Sequence, residues 1–200
     1  MIFHIAVPPL PPIPSALPEA FASRADFFKP EEVDRINEIA FALPSRPVTV
    51  GPDSKVDPEG NVSHVRHLMP GPDTNWIYQR VLHAVAQLNA LHFQFDITGM
   101  DEPMYHVTYK GEEKGHYNWH IDANNPGRPR RKLAITFQLS DGDAYEGGDL
   151  EINMTGIPVR APREKGSLIT FPATHIHRVA PVTKGTRSAI VTWIVGPPFR

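Results

Sequence analysis

A chain of 200 residues with no cysteine and a formal net charge of −2 is sized for one domain with a substantial core, and disulfides and thiolate chemistry are excluded. Its near-neutral balance offers no broad electrostatic footprint for nucleic acid or an anionic membrane, so neither is expected as a partner. The start, "MIFHIAVPPLPP", has no basic segment ahead of its proline-broken apolar run, and no run approaches the roughly 18 apolar residues of a membrane span, so the expected location is cytoplasmic.

Taken in chain order, residues 1–25 hold a cluster of six of the 22 prolines and read as an extended arm. "KPEEVDRINEIAFAL" predicts a helix, with Pro30 at its first turn, two glutamates behind it and Val33, Ile36, Ala40 and Leu43 on one side. "GPDSKVDPEGNVSHVRHLMPGPD" reads as loop with room for one short strand. "DTNWIYQRVLHAVAQLN" predicts a second helix, capped by Asp73 or Thr74 and repeating Ile77, Val81, Val85 and Leu88. From Phe93 the texture changes to short strands, expected near 93–97, 104–109, 132–139, 149–153, 167–171, 176–182 and 186–195. Many short strands after a helical start predict a mainly β protein, a sandwich or jelly roll buttressed by N-terminal helices.

The chemistry begins at "WHID". In an extended segment His120 and Asp122 share a face, so an imidazole and a carboxylate can converge on one cation. Alone the pair is weak, because 10 histidines and 11 aspartates in 200 positions predict about half a chance match. A third ligand from a distant strand would make the two-histidine, one-carboxylate facial triad of non-haem Fe(II) oxygenases, or a catalytic zinc site. "THIHRVAPVTKGTR" offers His175 and His177, which alternation cannot rank.

Thr183-Lys184-Gly185 reads as a three-residue hairpin loop ending in a left-handed glycine. That register pairs Val182 with Thr186, Pro181 with Arg187 and His177 with Val191, and it puts Arg187 on the histidine face. At about 3.3 Å per residue, His177 lies about 13 Å from the row of Arg187 and His175 about 20 Å. A chelating five-carbon diacid met by an extended arginine spans the shorter gap, so the reading favours His177 as ligand and gives Arg187 a carboxylate.

"YKGEEKGHYNWHID", "RRKLAITFQLSDGDAYEGGDLEI" and "KGSLITFPATHIHRVAPVTKGTRSAIVTWIVG" together resemble the Fe(II)- and 2-oxoglutarate-dependent dioxygenases of the prolyl/lysyl-hydroxylase-like (PKHD-type) group. The resemblance covers roughly residues 90 to 197. It implies a double-stranded β-helix over 93–197, helical support over 26–92 and one dioxygenase domain over 26–200. It implies His120, Asp122 and His177 as Fe(II) ligands, Arg187 on the C5 carboxylate of 2-oxoglutarate, and Tyr109 and Gln138 in the cosubstrate pocket. The implied reaction hydroxylates an unactivated C–H bond with O₂ and releases succinate and CO₂, with ascorbate as a possible support. A prolyl or other protein residue is the expected target. A free amino acid or other small metabolite is the alternative, and a non-catalytic cupin-like binding module the other class.

Tyr117, Asn124 and Arg128 are candidate substrate contacts. "NNPGRPRRK" (124–132) otherwise reads as a solvated charged loop, Trp119 as an outward-facing structural residue and His106 as a surface or core histidine. His175 reads as packing near the site, with an outer partner of the metal ligands or a substrate contact as the alternatives. The oligomeric state does not follow from the sequence.

Overall fold

The computed structural model describes residues 19–49, 57–123 and 130–198. Its strands are β1 (Ala22–Arg24), β2 (Arg46–Pro47), β3 (Asn61–Val62), β4 (His64–Leu68), β5 (Met104–Lys110), β6 (His116–His120) and β7 (Arg131–Gln138). They continue with β8 (Tyr145–Gly147), β9 (Leu150–Asn153), β10 (Pro158–Arg160), β11 (Leu168–Pro172), β12 (Ile176–Val179) and β13 (Val182–Val195). Two helices, α1 (Pro30–Phe41) and α2 (Asn75–Leu88), precede β5. The larger antiparallel sheet runs β1-β11-β7-β13-β5-β4-β2, with β8 added on β13; the smaller runs β10-β9-β12-β6-β3.

Every residue of β7 is buried, because the larger sheet is covered on both faces. Leu133, Ile135 and Phe137 join Ile190 and Ile194 of β13 under the helices, where Val33, Ile36 and Ala40 of α1 and Ile77, Val81 and Val85 of α2 complete one core. The alternate residues look the other way. Ala134 joins Ile169 and Phe171 of β11 and Val107 and Tyr109 of β5 against Leu150, Ile152 and Val179 of the smaller sheet. Period-2 alternation thus assigns one set of side chains to stability and leaves the other to line the space between the sheets.

Three expectations require correction. Residues 93–97 form no strand: α2 runs into a π-helical turn over Asn89–Phe93, closed by Gln94 in the left-handed region. Asn89 holds that turn by exchanging hydrogen bonds with the Phe95 backbone. Second, the stretch between the helices carries more strand than one short piece, since β3 and β4 both fall within it. Third, no hairpin joins β12 to β13. β12 pairs with β9 and β6, whereas β13 pairs with β5, β7 and β8, so Ala180-Pro181 is a crossover between sheets. Gly185 is left-handed (φ +72°), but it sits inside β13 opposite Tyr145, next to the register shift between Val182 and Lys184. The glycine marks an irregular strand pairing instead of a turn.

Candidate active site

His120 ends β6, His177 lies on β12, and their backbones are directly paired. Asp122 follows β6 on a bend and is buried. The three residues offer ligand atoms within 4.8 Å of one another, and among the described residues they are the cluster of histidine and acidic side chains able to hold a metal ion. His120 Nε2 stands 3.7 Å from Asp122 Oδ1, and His177 Nε2 stands 3.4 Å from Oδ2.

The tautomers follow from the hydrogen bonds. His120 Nδ1 lies 2.8 Å from the Asn118 carbonyl and His177 Nδ1 lies 3.0 Å from the His175 carbonyl. A carbonyl only accepts, so both Nδ1 atoms carry the proton and both Nε2 lone pairs point at the carboxylate. Burial drives the pKa of His120 down to about 4, with His177 acting the same way and the Asp122 carboxylate opposing. The ring is therefore a neutral ligand near pH 7. Two imidazoles, each held from behind by a carbonyl, and one carboxylate suit a divalent metal.

Arg187 is 1% exposed. It pairs with Tyr109 across β13 and β5, its guanidinium carbon 5.4 Å from that ring's centroid. One amino group donates to Gln138 Oε1 at 3.0 Å, and the Gln138 amide in turn donates to the Pro162 carbonyl at 2.8 Å. The buried Arg187 Nε has no partner. An enclosed guanidinium with an unsatisfied donor fits an anionic ligand, and a carboxylate matches its fork. Burial raises the Tyr109 pKa to about 12, partly offset by Arg187, so its hydroxyl stays protonated and able to donate.

Tyr117 lies ring-to-ring on His120, centroids 3.6 Å apart and planes 14° apart. The irregular β6–β12 register, in which Tyr117 faces Val179 and His120 faces His177, brings both rings to one side despite their spacing of three. Trp119 points away from them and carries Arg178 over its ring at 4.7 Å. Asn124 and Arg128 lie outside the described residues. His106 faces the helices, against Asn37 and Phe41, and takes no part in the site.

Sequence reasoning misses Arg131, which falls within the stretch taken for a solvated loop. It is buried, forms a bidentate pair with Glu102 (2.7 and 2.6 Å), stacks 3.4 Å from the Trp193 ring centroid and approaches Asp122 Oδ1 to 3.7 Å. Strict alternation from Leu133 would send Arg131 toward the helices. A shift at Lys132, where Ile194 faces Leu133 but Val195 faces Arg131, turns it into the site. Bulges re-aim side chains in this way, and no residue type in "RRKL" announces one.

Residues 104–195 match the model of the 2OG-Fe(II) oxygenase superfamily. The chain is 38% identical over 85 residues to a PKHD-type hydroxylase of Synechococcus sp. (strain CC9311), covering 42% of this chain and 39% of that one. It is 31% identical over 152 residues to a PKHD-type hydroxylase of Xylella fastidiosa (strain M12), covering 70% of this chain and 64% of that one. The chain thus spans less than two thirds of the length of these curated relatives. A solved prolyl hydroxylase from Trichoplax adhaerens, in complex with a hypoxia-inducible-factor peptide fragment, shares the fold at a TM-score of 0.72. There the identity is 18%, covering 88% of this chain and 83% of that chain.

Proposed function

This chain belongs to the 2OG-Fe(II) oxygenase superfamily, and from that premise we propose that it is an Fe(II)- and 2-oxoglutarate-dependent hydroxylase acting on an unactivated C–H bond of a prolyl or other protein residue, with release of succinate and CO₂. The two relatives named PKHD-type hydroxylases and the peptide-bound prolyl hydroxylase of like fold support that target class. The observation that carries the reading is the coexistence, between the same two sheets, of the His120–Asp122–His177 cluster and a buried arginine with an unused donor. A hydrolytic zinc site accounts for the first and leaves the second without a purpose.

In this reading Fe(II) with 2-oxoglutarate and O₂ supplies the oxidising power, and the protein supplies placement. His120 and His177 present their Nε2 atoms, and Asp122 gives the negative charge. Arg187, held by Gln138 and flanked by Tyr109, takes the distal carboxylate of the cosubstrate. Tyr117, seated on His120, narrows the approach to the metal and is the proposed substrate contact. Asp122, His177 and Arg187 are buried between the sheets, which strengthens each charge–charge contact there.

Succinate release from 2-oxoglutarate with Fe(II), measured with and without prolyl peptides, tests the proposal. His177→Ala and Arg187→Ala should each abolish turnover, with binding of 2-oxoglutarate to the Mn(II)-loaded parent as the control for slow uncoupled turnover. Turnover unchanged in both variants would sink the reading.

A further inference from the structure

The two metal-facing histidines are held alike. Each donates its Nδ1 proton to the carbonyl two residues earlier, His120 to Asn118 at 2.8 Å and His177 to His175 at 3.0 Å. A ligand held by a carbonyl is only as well placed as that carbonyl. Asn118 is fixed through its own N–H, which donates to the Gly60 carbonyl at 2.8 Å. His175 is fixed twice, by its N–H on the Pro172 carbonyl at 2.9 Å and by its side chain. Its Nδ1 lies 3.2 Å from the Ala20 carbonyl, an acceptor only, so Nδ1 is the donor. Ala20 is itself anchored. It lies two residues before β1, whose Ala22 pairs with Thr170 of β11, and Ala20 and Phe21 pack on the cluster between the sheets.

From this chain of contacts we infer that His175 is a positioning residue, tying the N-terminal segment Glu19–Arg24 to the metal ligand His177. The inference rests on the proposed metal site. His175 touches neither metal nor cosubstrate: its side chain fixes its own peptide against β1, and that peptide's carbonyl fixes the tautomer and ring plane of His177. The alternative is a side chain that merely packs β1 against the turn after β11. Packing would change stability without changing how His177 binds a metal. Outer partners that hold a ligand directly are worth about 10–100-fold in metal affinity, and His175 acts one bond further out, so about tenfold is expected.

The test is Co(II) titration of the full chain, followed by the metal's visible absorption, for the parent, His175→Leu, His175→Gln and His175→Asn. Asparagine places its amide nitrogen where Nδ1 stood, glutamine places it beyond, and leucine removes the donor. Leucine and glutamine should weaken Co(II) binding about tenfold, while asparagine stays within about twofold of the parent. If leucine fails to fold, glutamine carries the same comparison. Affinities within about twofold of the parent in both leucine and glutamine variants would overturn the inference, and so would equal losses in asparagine and leucine. His177→Ala is the separate control: if it leaves Co(II) binding intact, the metal-site reading fails and the positioning role falls with it.

Discussion

Arg187 and Gln138, on adjacent strands β13 and β7, are joined by a 3.0 Å hydrogen bond, and the glutamine's other end is held by the Pro162 carbonyl. Gln138 therefore fixes the guanidinium in the one orientation that leaves its buried Nε open. Removing the charge and removing its brace should differ in size. Arg187→Ala should weaken 2-oxoglutarate binding on the order of 100-fold, because the distal carboxylate would be buried without its partner. Gln138→Leu should weaken it only several-fold, about 1 kcal/mol for one supporting hydrogen bond. Calorimetric titration of Mn(II)-loaded variants checks both, and an equal loss in the two would remove the distinction between anchor and brace.

The hairpin expected around Arg187 shows how local composition can mislead about topology. The expected hairpin puts Arg187 on the histidine face, and the structure points it between the sheets because β13 sets it opposite Tyr109 of β5. Lys184-Gly185 has the composition of a turn, but β8 pairs alongside and keeps it within β13. That partner comes from residues about 40 positions earlier, and local propensity carries no information about it. The helices were legible because a 3.6-residue repeat of apolar side chains is local, whereas "WHID" is weak alone and takes its weight from a histidine on a distant strand. Arg131 was not legible, since its direction depends on a bulge that only the partner strand defines.

Gly185 gives that lesson a measurable form. Its φ of +72° disfavours any side chain, and a Cβ there would strike the Ala144 carbonyl oxygen. Gly185→Ala should cost about 1–3 kcal/mol, the range for a residue held in a sparsely populated backbone region. Urea unfolding at neutral pH reads this directly. A loss well below about 1 kcal/mol would show that the strand relaxes around the new side chain and that β8 does not confine position 185.

The Glu102–Arg131 pair should be expensive to break and cheap to replace. Glu102→Ala leaves a buried guanidinium against Trp193 and Asp122, a change of about 3–5 kcal/mol by the behaviour of buried ion pairs. Substituting both partners with apolar residues of similar size, Glu102→Leu with Arg131→Met, should return most of that stability. Asp122 would then lack its cationic neighbour 3.7 Å away, which removes a repulsion on a divalent cation, so the double variant should keep most of its stability while binding Co(II) at least as tightly as the parent. Urea unfolding and metal titration on the same samples separate the two effects. A double variant as unstable as the single one would show that the pair holds the fold through something other than charge compensation.

His106 makes the fold sensitive to acid in a way that can be assigned to one ring. It is fully buried under the helices, its Nε2 lies 3.3 Å from Asn37 Oδ1, and its Nδ1 has no partner. Burial, with Arg66 nearby, lowers its pKa from 6.5 to about 4. The unfolded chain therefore binds a proton between those values that the folded chain refuses. Stability is complete above pH 6.5, declines as the pH falls toward 4 and levels off below. The shift corresponds to at most about 3 kcal/mol. His106→Leu should lose a little stability at pH 7, where the Asn37 contact goes, yet flatten the decline between pH 6.5 and 4 relative to the parent. His120, also lowered to about 4 by burial, contributes the same slope to both metal-free proteins and cancels in the comparison. Urea unfolding across that window decides it, and parallel curves for parent and variant would show that the acid sensitivity lies elsewhere.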